Sequence, residues 1–375
     1  MAQANQSEVL TRLTAPGPKR ILALDGGGIR GVLTLGFLDR IEQILRTRHQ
    51  NPQLRLCDYF DLIGGTSTGS IIASALAIGM EVAEIKRFYL DLGGRIFGKK
   101  KLRFWESFYD VTPLRQALQD VFGDRTLDDS TISTGLCLIL KRADTGSTWP
   151  IFNHPKGRYF ATNRTILLRE AIRASSAAPP FFEPQVIEVL PGQQGVFLDG
   201  GISTAKNPAL TLFYLATLKG FHLDWPTGEE QMLLVSLGTG MWKDRVDPQA
   251  IVHGKFWSWV KQVPEMLIQS ADQQNQLLLQ LLSTSPTPWM IDREIGDLSN
   301  DSITPAPLMT YLRYDACLEA AKIKDIGLPE LAASAVAMRD MTNAERRYDL
   351  AKVGERAAEI QIQAEHFPKV FDLMR

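Results

Sequence analysis

The chain has little cysteine, no excess of charge of either sign and no long apolar run. Its three cysteines, Cys57, Cys137 and Cys317, are widely spaced, odd in number and without a CxxC pair. They read as small core residues of a protein in a reducing cytoplasm. Lysine and arginine number 41 against 42 aspartate and glutamate, a formal net charge of −1, so the electrostatic argument for a nucleic-acid partner is missing. The most apolar stretch, Ile71 to Met80, is far short of the roughly 20 residues a spanning helix needs. The opening "MAQANQSEVLTRLTAPGPKR" has no continuous apolar core and does not read as a signal peptide. With 45% hydrophobic and 22% charged residues over 375 positions, the chain is ordinary for a globular protein with a large core, in one domain or two.

Residues 1–19 read as a flexible leader closed by "APGPK". The run Arg20-Ile21-Leu22-Ala23-Leu24 then meets Asp25 and three glycines, a buried strand reaching a turn. Leu33, Phe37, Leu38, Ile41 and Leu45 recur at helical spacing from Gly31 to Arg48. "YFDLIGG" repeats the strand and "TGSIIASALAIG" the helix. Strand, glycine turn and helix, twice in succession, argue a parallel sheet covered by helices. Further strands are expected at 136–142, 196–201 and 232–240, and "ILLREAIRASSAAPPFF" reads as a helix stopped by a proline pair. The expected division is a catalytic domain at 20–250 and a helical region at 251–375 packed on the same domain.

Gly26-Gly27-Gly28-Ile29-Arg30-Gly31 satisfies G-x-G-x-x-G between a strand and a helix, which admits a dinucleotide-binding turn. That reading wants an acidic residue closing the second strand, about 20 residues on. Glu42, Asp58 and Asp61 are each misplaced for it, and Asp25 would repel a pyrophosphate. The same loop suits a different anion, an oxyanion formed on an ester carbonyl, which needs N–H donors at about 2.7–3.1 Å. Arg30 reads either as a charge favouring that anion or as a surface arginine on the first helical turn.

Gly65-Thr66-Ser67-Thr68-Gly69 has the nucleophile-elbow pattern G-x-S-x-G; the rival reading makes Ser67 a helix N-cap. A serine nucleophile needs a base. The α/β-hydrolase order Ser…Asp…His offers Asp199 with His222 or His253, neither in a flanking motif, while His154 precedes the aspartate and His49 and His366 lie near helix ends. Asp199-Gly200-Gly201 follows the strand-like Val196-Phe197-Leu198. An aspartate there takes the proton directly if burial raises its pKa, unless it only forms an Asp-Gly turn.

Three blocks, "DGGGIRG" (25–31), "GTSTG" (65–69) and "DGG" (199–201), in this order and spacing, resemble the patatin-like phospholipase family. The resemblance runs over residues 20–240 and includes "ASSAAPPFFEP" (174–184). It implies a three-layer α/β/α fold with a mainly parallel central sheet, the helical C-terminal region lying against it. It further implies a dyad of Ser67 as nucleophile and Asp199 as base, without histidine. The amides of Gly26, Gly27 and Gly28 would form the oxyanion hole with Arg30 as support, and Gly65, Gly69, Gly200 and Gly201 would shape the turns. The implied reaction is hydrolysis of phospholipid or lysophospholipid esters through an acyl-serine, without metal or organic cofactor. Two departures stand out. Ser70 replaces a frequent third glycine, and "DGGISTAKNP" is one residue longer than the family's D-G-G-x-x-x-N-N-P, with Lys206 before Asn207-Pro208.

A lipid substrate calls for transient contact with a membrane surface. Residues 94–110 put Lys99, Lys100, Lys101 and Arg103 beside Phe97, Phe104, Trp105, Phe108 and Tyr109. That mixture suits an anionic membrane as well as a solvated loop; residues 253–262 are a weaker candidate. The expected location is cytoplasmic, peripheral at the membrane. An alternative function is a regulated effector: some patatin-like bacterial proteins of similar length are activated by a cyclic nucleotide in anti-phage defence, although no motif here marks a nucleotide site. A non-catalytic lipid-binding module is disfavoured because both dyad residues are present.

Overall fold

The computed structural model describes residues 9–96, 109–243, 248–253 and 256–373. Among these, nine strands form one sheet: β1 (Lys19–Leu24), β2 (Leu62–Thr66), β3 (Gly135–Arg142), β4 (Ser147–Phe152), β5 (Gln185–Leu190), β6 (Gln193–Asp199), β7 (Met232–Leu237), β8 (Thr284–Thr287) and β9 (Thr310–Tyr314). Their order is β5-β6-β3-β2-β1-β7-β9-β8, with β4 attached to β3. The ladders from β3 through β2, β1, β7 and β9 to β8 are parallel. Helices of eight residues or more are α1 (Gly31–His49), α2 (Thr68–Ala77), α3 (Val82–Ile96), α4 (Thr112–Phe122), α5 (Leu168–Ser175), α6 (Ala209–Thr217), α7 (Phe256–Leu281) and α8 (Arg347–Gln361).

The central strands are apolar on both faces because both faces are covered. Leu22 and Leu24 of β1, Leu138 of β3 and Val235 of β7 join Val32, Ile72, Ile172 and Val353 in one core. Their alternating neighbours Ile21, Ala23, Ile139 and Leu234 join Leu212, Phe213 and Leu279 in a second. Side chains two apart share a face of a strand, so the two cores lie on opposite sides of the sheet, between three layers.

Strand β3 brings distant residues together. Its edge toward β4 is occupied from Cys137 to Arg142. Its other edge is shared: residues Gly135 to Ile139 pair with β2, and Leu140 to Arg142 pair with the antiparallel β6. Strand β2 ends with Thr66 opposite Ile139, and β6 ends with Asp199 opposite Leu140. Two strand ends therefore meet head to head along one edge, and Asp199 arrives beside the turn that follows Thr66.

Two expectations need correcting. The leader is not flexible where it is described: residues 9–14 are helical, and Val9 and Leu13, spaced four apart, are buried in the second core. Trp225 Nε1 donates to the Leu13 carbonyl at 2.7 Å, and β1 already begins at Lys19. The region after residue 250 supplies α7 and α8 as expected, and it also adds β8 and β9 to the sheet. The basic and aromatic segment Phe97 to Phe108 lies outside the described residues, as do Gly254 and Lys255 of the second segment.

Candidate active site

Ser67 occupies the sharp turn between β2 and α2 with φ 54° and ψ −120°, a backbone state a non-glycine residue adopts only when its surroundings hold it. The flanking glycines allow the turn to close. A Cβ on Gly69 would lie 2.1 Å from the Leu24 carbonyl oxygen. The Ser67 N–H donates to Ser175 Oγ at 2.9 Å, and Ser175 Oγ donates to the Ile139 carbonyl at 2.6 Å. Ser70, where the family often has glycine, donates from its hydroxyl to the Ser67 carbonyl at 2.6 Å. Ser67 makes no side-chain capping bond. Its Oγ donates instead to Asp199 Oδ2 at 2.5 Å.

Asp199 is buried, and its second oxygen, Oδ1, accepts the Gly201 N–H at 2.6 Å. Burial pushes its pKa up to about 6, against the pull of the bonds from Ser67 and Gly201 and the charge of Arg173. A carboxyl in that range is ionised at neutral pH and still basic enough to take a proton. The histidines are occupied or remote. His154 Nε2 contacts the His222 carbonyl at 3.1 Å, and His366 Nδ1 contacts Tyr314 Oη at 2.8 Å. No histidine lines either cavity beside Ser67.

The glycine loop presents its amides through anchored carbonyls. Thr239 Oγ1 donates to the Gly26 carbonyl at 2.8 Å. Because a trans peptide sets C=O and N–H in opposite directions, the Gly27 N–H is turned away from Thr239. The Gly27 carbonyl accepts the Arg30 N–H at 3.2 Å and Arg30 Nε at 3.4 Å, which orients the Gly28 N–H likewise. Neither amide has an acceptor among the described residues. The Gly26 N–H is engaged by the Lys206 carbonyl at 3.0 Å, so of the three expected donors it is already committed. Gly28 has φ +60°, and a Cβ there would meet the Met341 carbonyl at 2.4 Å. Arg30 is buried, not a surface residue. It donates to the Arg339 carbonyl at 3.1 Å and stacks on Trp242 at 5.1 Å.

Ser67 stands at the junction of two spaces. A narrow apolar slot of about 50 Å³ runs past Ile29, Ile71, Leu92, Leu114 and Phe182. A wider, more polar cavity of about 460 Å³ contains Gly26, Gly27, Arg30, Asp199, Lys206 and Trp242. The lengthened loop after Asp199 is secured from α7: Lys206 pairs with Asp272, whose carboxylate also accepts the Asn207 N–H at 3.3 Å. The dinucleotide reading loses its ribose contact, since β2 closes with Gly64-Gly65-Thr66 and no acid.

Reasoning from sequence missed Ser175, Thr239, Asp272 and Arg313. Arg313 pairs with Asp25 through both guanidinium Nη atoms, at 2.8 and 3.1 Å. None of these residues belongs to the glycine blocks at 25–31, 65–69 and 199–201. The serine pair Ser175-Ser176 within the small-residue helix and the "SLGTG" turn after β7 were the available signals.

The family model described as patatin-like phospholipase matches residues 22–213, more than half of the chain. The chain is 29% identical over 232 residues to a cGAMP-activated phospholipase of Escherichia coli (strain TW11681), covering 59% of this chain and 62% of that protein. It is 29% identical over 286 residues to a cUMP-AMP-activated phospholipase of Escherichia coli, covering 74% and 83%. It is 29% identical over 236 residues to patatin group J-1 of Solanum tuberosum, covering 59% and 60%. The chain thus spans less than two thirds of the first and third of these relatives.

Proposed function

The chain belongs to the patatin-like phospholipase family, and on that premise we propose that it is a lipid acyl hydrolase working through a Ser67–Asp199 dyad. The observation that carries this reading is the 2.5 Å bond from Ser67 Oγ to Asp199 Oδ2. Asp199 takes the hydroxyl proton as Oγ attacks the ester carbonyl carbon. The Gly27 and Gly28 amides receive the oxyanion, each such donor being worth about 2.7–4 kcal/mol of barrier. Arg30, bonded to the Gly27 carbonyl, polarises the peptide that carries the Gly28 N–H. Collapse breaks the C–O bond; the departing alcohol takes the proton from Asp199 and leaves an acyl-serine. Water then attacks the acyl carbon as it gives up a proton to Asp199; the bond to Oγ breaks, Oγ takes that proton back, and a fatty acid is released. The apolar slot suits the acyl chain, and the wider cavity suits the headgroup side of a phospholipid or lysophospholipid.

The substrate reaches the site from a membrane surface. No helix among the described residues is long and apolar enough to cross a bilayer. Helix α7 supports surface contact instead: Pro264, Glu265 and Ile268 line the wider cavity, while Val260, Val263, Met266 and Leu267 are exposed. The test is fatty-acid release from lysophospholipid. Ser67→Ala abolishes it and Asp199→Asn lowers it by about a thousandfold or more, whereas each of the five histidines can be replaced singly with activity kept. Loss of turnover in a folded His222→Ala or His253→Ala protein would favour a triad.

A second reading, favoured by the relatives named as cGAMP- and cUMP-AMP-activated phospholipases, is that a cyclic nucleotide switches this activity on. Turnover rising with an added cyclic dinucleotide supports it; a rate unchanged across a panel of them removes it.

A further inference from the structure

The loop that carries the Gly27 and Gly28 amides is held from a strand near the other end of the chain. Ala23, Ser236 and Arg313 stand in register across β1, β7 and β9. Side chains two apart on a strand share a face, so Asp25 and Asp315 lie on the side where Arg313 points. Arg313 is 2% exposed and Asp25 is 1% exposed. The guanidinium grips Asp25 by both carboxylate oxygens, donates to Ser236 Oγ at 2.8 Å and reaches Asp315 Oδ2 at 2.9 Å. The other oxygen of Asp315 accepts the Gly240 N–H at 2.7 Å and the Ala316 N–H at 2.8 Å.

Both ends of this network act on one peptide. Asp25 directly precedes Gly26. Gly240 directly follows Thr239, and Thr239 holds the Gly26 carbonyl. We propose that Arg313 is a positioning residue for the oxyanion loop, fixing the Gly26–Gly27 peptide from the Asp25 side and, through Asp315 and Gly240, from the Thr239 side. It touches no reacting atom; it sets the direction of the Gly27 N–H. A bidentate arginine suits this task, because a lysine at the same place holds one oxygen as a point charge and leaves the carboxylate free to rotate.

This inference rests on the reading of Gly27 and Gly28 as oxyanion donors. Its test uses the full chain, a short soluble ester and a boronic acid, whose tetrahedral adduct on serine mimics the oxyanion. Arg313→Lys and Asp25→Asn should each lower kcat per titrated active site by about ten- to a hundredfold, less than the roughly hundred- to thousandfold loss of a donor removed outright, because the amide is misdirected and not deleted. KM should stay within twofold, and boronic acid affinity should fall in parallel with kcat. Adding Thr239→Val to Arg313→Lys should cost little more, since the two act on one peptide. If Arg313→Lys does not fold, Asp25→Asn and Asp315→Asn, which keep shape, carry the same readout. Folded variants whose kcat per site and boronic acid affinity stay within twofold of the unaltered protein would overturn it, as would a loss seen only in the fraction of active sites. Failure of the underlying reading is separate: the unaltered protein would then neither turn over ester nor bind boronic acid at Ser67.

Discussion

Gly65 and Gly69 touch across the nucleophile turn: a Cβ on Gly65 would lie 2.0 Å from the Gly69 carbonyl oxygen. That contact is between backbones, so no rotamer change relieves it. Gly65→Ala should therefore fail to give soluble protein or lose several kcal/mol, at the severe end for single substitutions. Gly220→Ala, where a Cβ meets nothing within 4 Å, should melt within a degree or two of the unaltered protein. Thermal melts of the two variants make the comparison.

As the proposed base, Asp199 would tie activity to pH. With its pKa at about 6, the basic form grows as pH rises, so kcat/KM should climb through about pH 6 and level off above 7. The sign for stability is the opposite of the usual carboxylate. The folded state holds this proton to about 6, the unfolded chain only to about 3.9. Folding is therefore penalised progressively between those values, and the full penalty persists above 6. Asp199→Asn should stabilise the protein at pH 8 by about 1–3 kcal/mol, since every tenfold weakening of the acid on folding costs the ionised form about 1.4 kcal/mol. The gain should vanish near pH 4. Urea denaturation at the two pH values checks both statements.

Ser175 bridges the nucleophile turn to β3. Ser175→Ala strands a buried Ser67 N–H and a buried Ile139 carbonyl, a loss of about 1–3 kcal/mol. Because the stranded amide belongs to Ser67 itself, kcat should fall with it. A variant that melts normally and turns over normally would mean that water or a neighbour replaces the hydroxyl.

Helix α7 offers the membrane test. Val263 is 44% and Leu267 is 66% exposed, so replacing both with aspartate should leave folding and soluble-ester hydrolysis unchanged. Sedimentation with anionic phospholipid vesicles should drop at least tenfold, because two lost methylene equivalents at about 0.8 kcal/mol each exceed the 1.4 kcal/mol a factor of ten requires. Equal sedimentation of both proteins would move the membrane contact elsewhere.

The sequence was most legible where chemistry demands local pattern. The turn at Ser67 needs glycine at 65 and 69 because a Cβ at either would run into backbone, and Asp199 needs a strand behind it and a turn after it; both demands appear in consecutive letters. The supports were not legible because their partners are far apart. Arg313 sits 288 residues from Asp25, and nothing in "TYLRYDA" marks its arginine as buried until its carboxylate partners surround it. For the same reason β9 was hidden within a region read as helical. The order of β2, β3 and β6 was equally out of reach, since sharing one edge of β3 between two strands leaves no mark in composition or periodicity.

A serine driven to attack by a carboxylate, without an imidazole, can be distinguished from a triad by where and how fast it is labelled. The decisive measurement is peptide mass spectrometry after treatment with a fluorophosphonate, run on the unaltered protein, on Asp199→Asn and on a folded protein lacking all five histidines. The Ser67–Asp199 dyad predicts an adduct on Ser67 in the first and third, and labelling slowed at least a hundredfold in the second. An adduct on another residue, or one that disappears only when the histidines are removed, would contradict it.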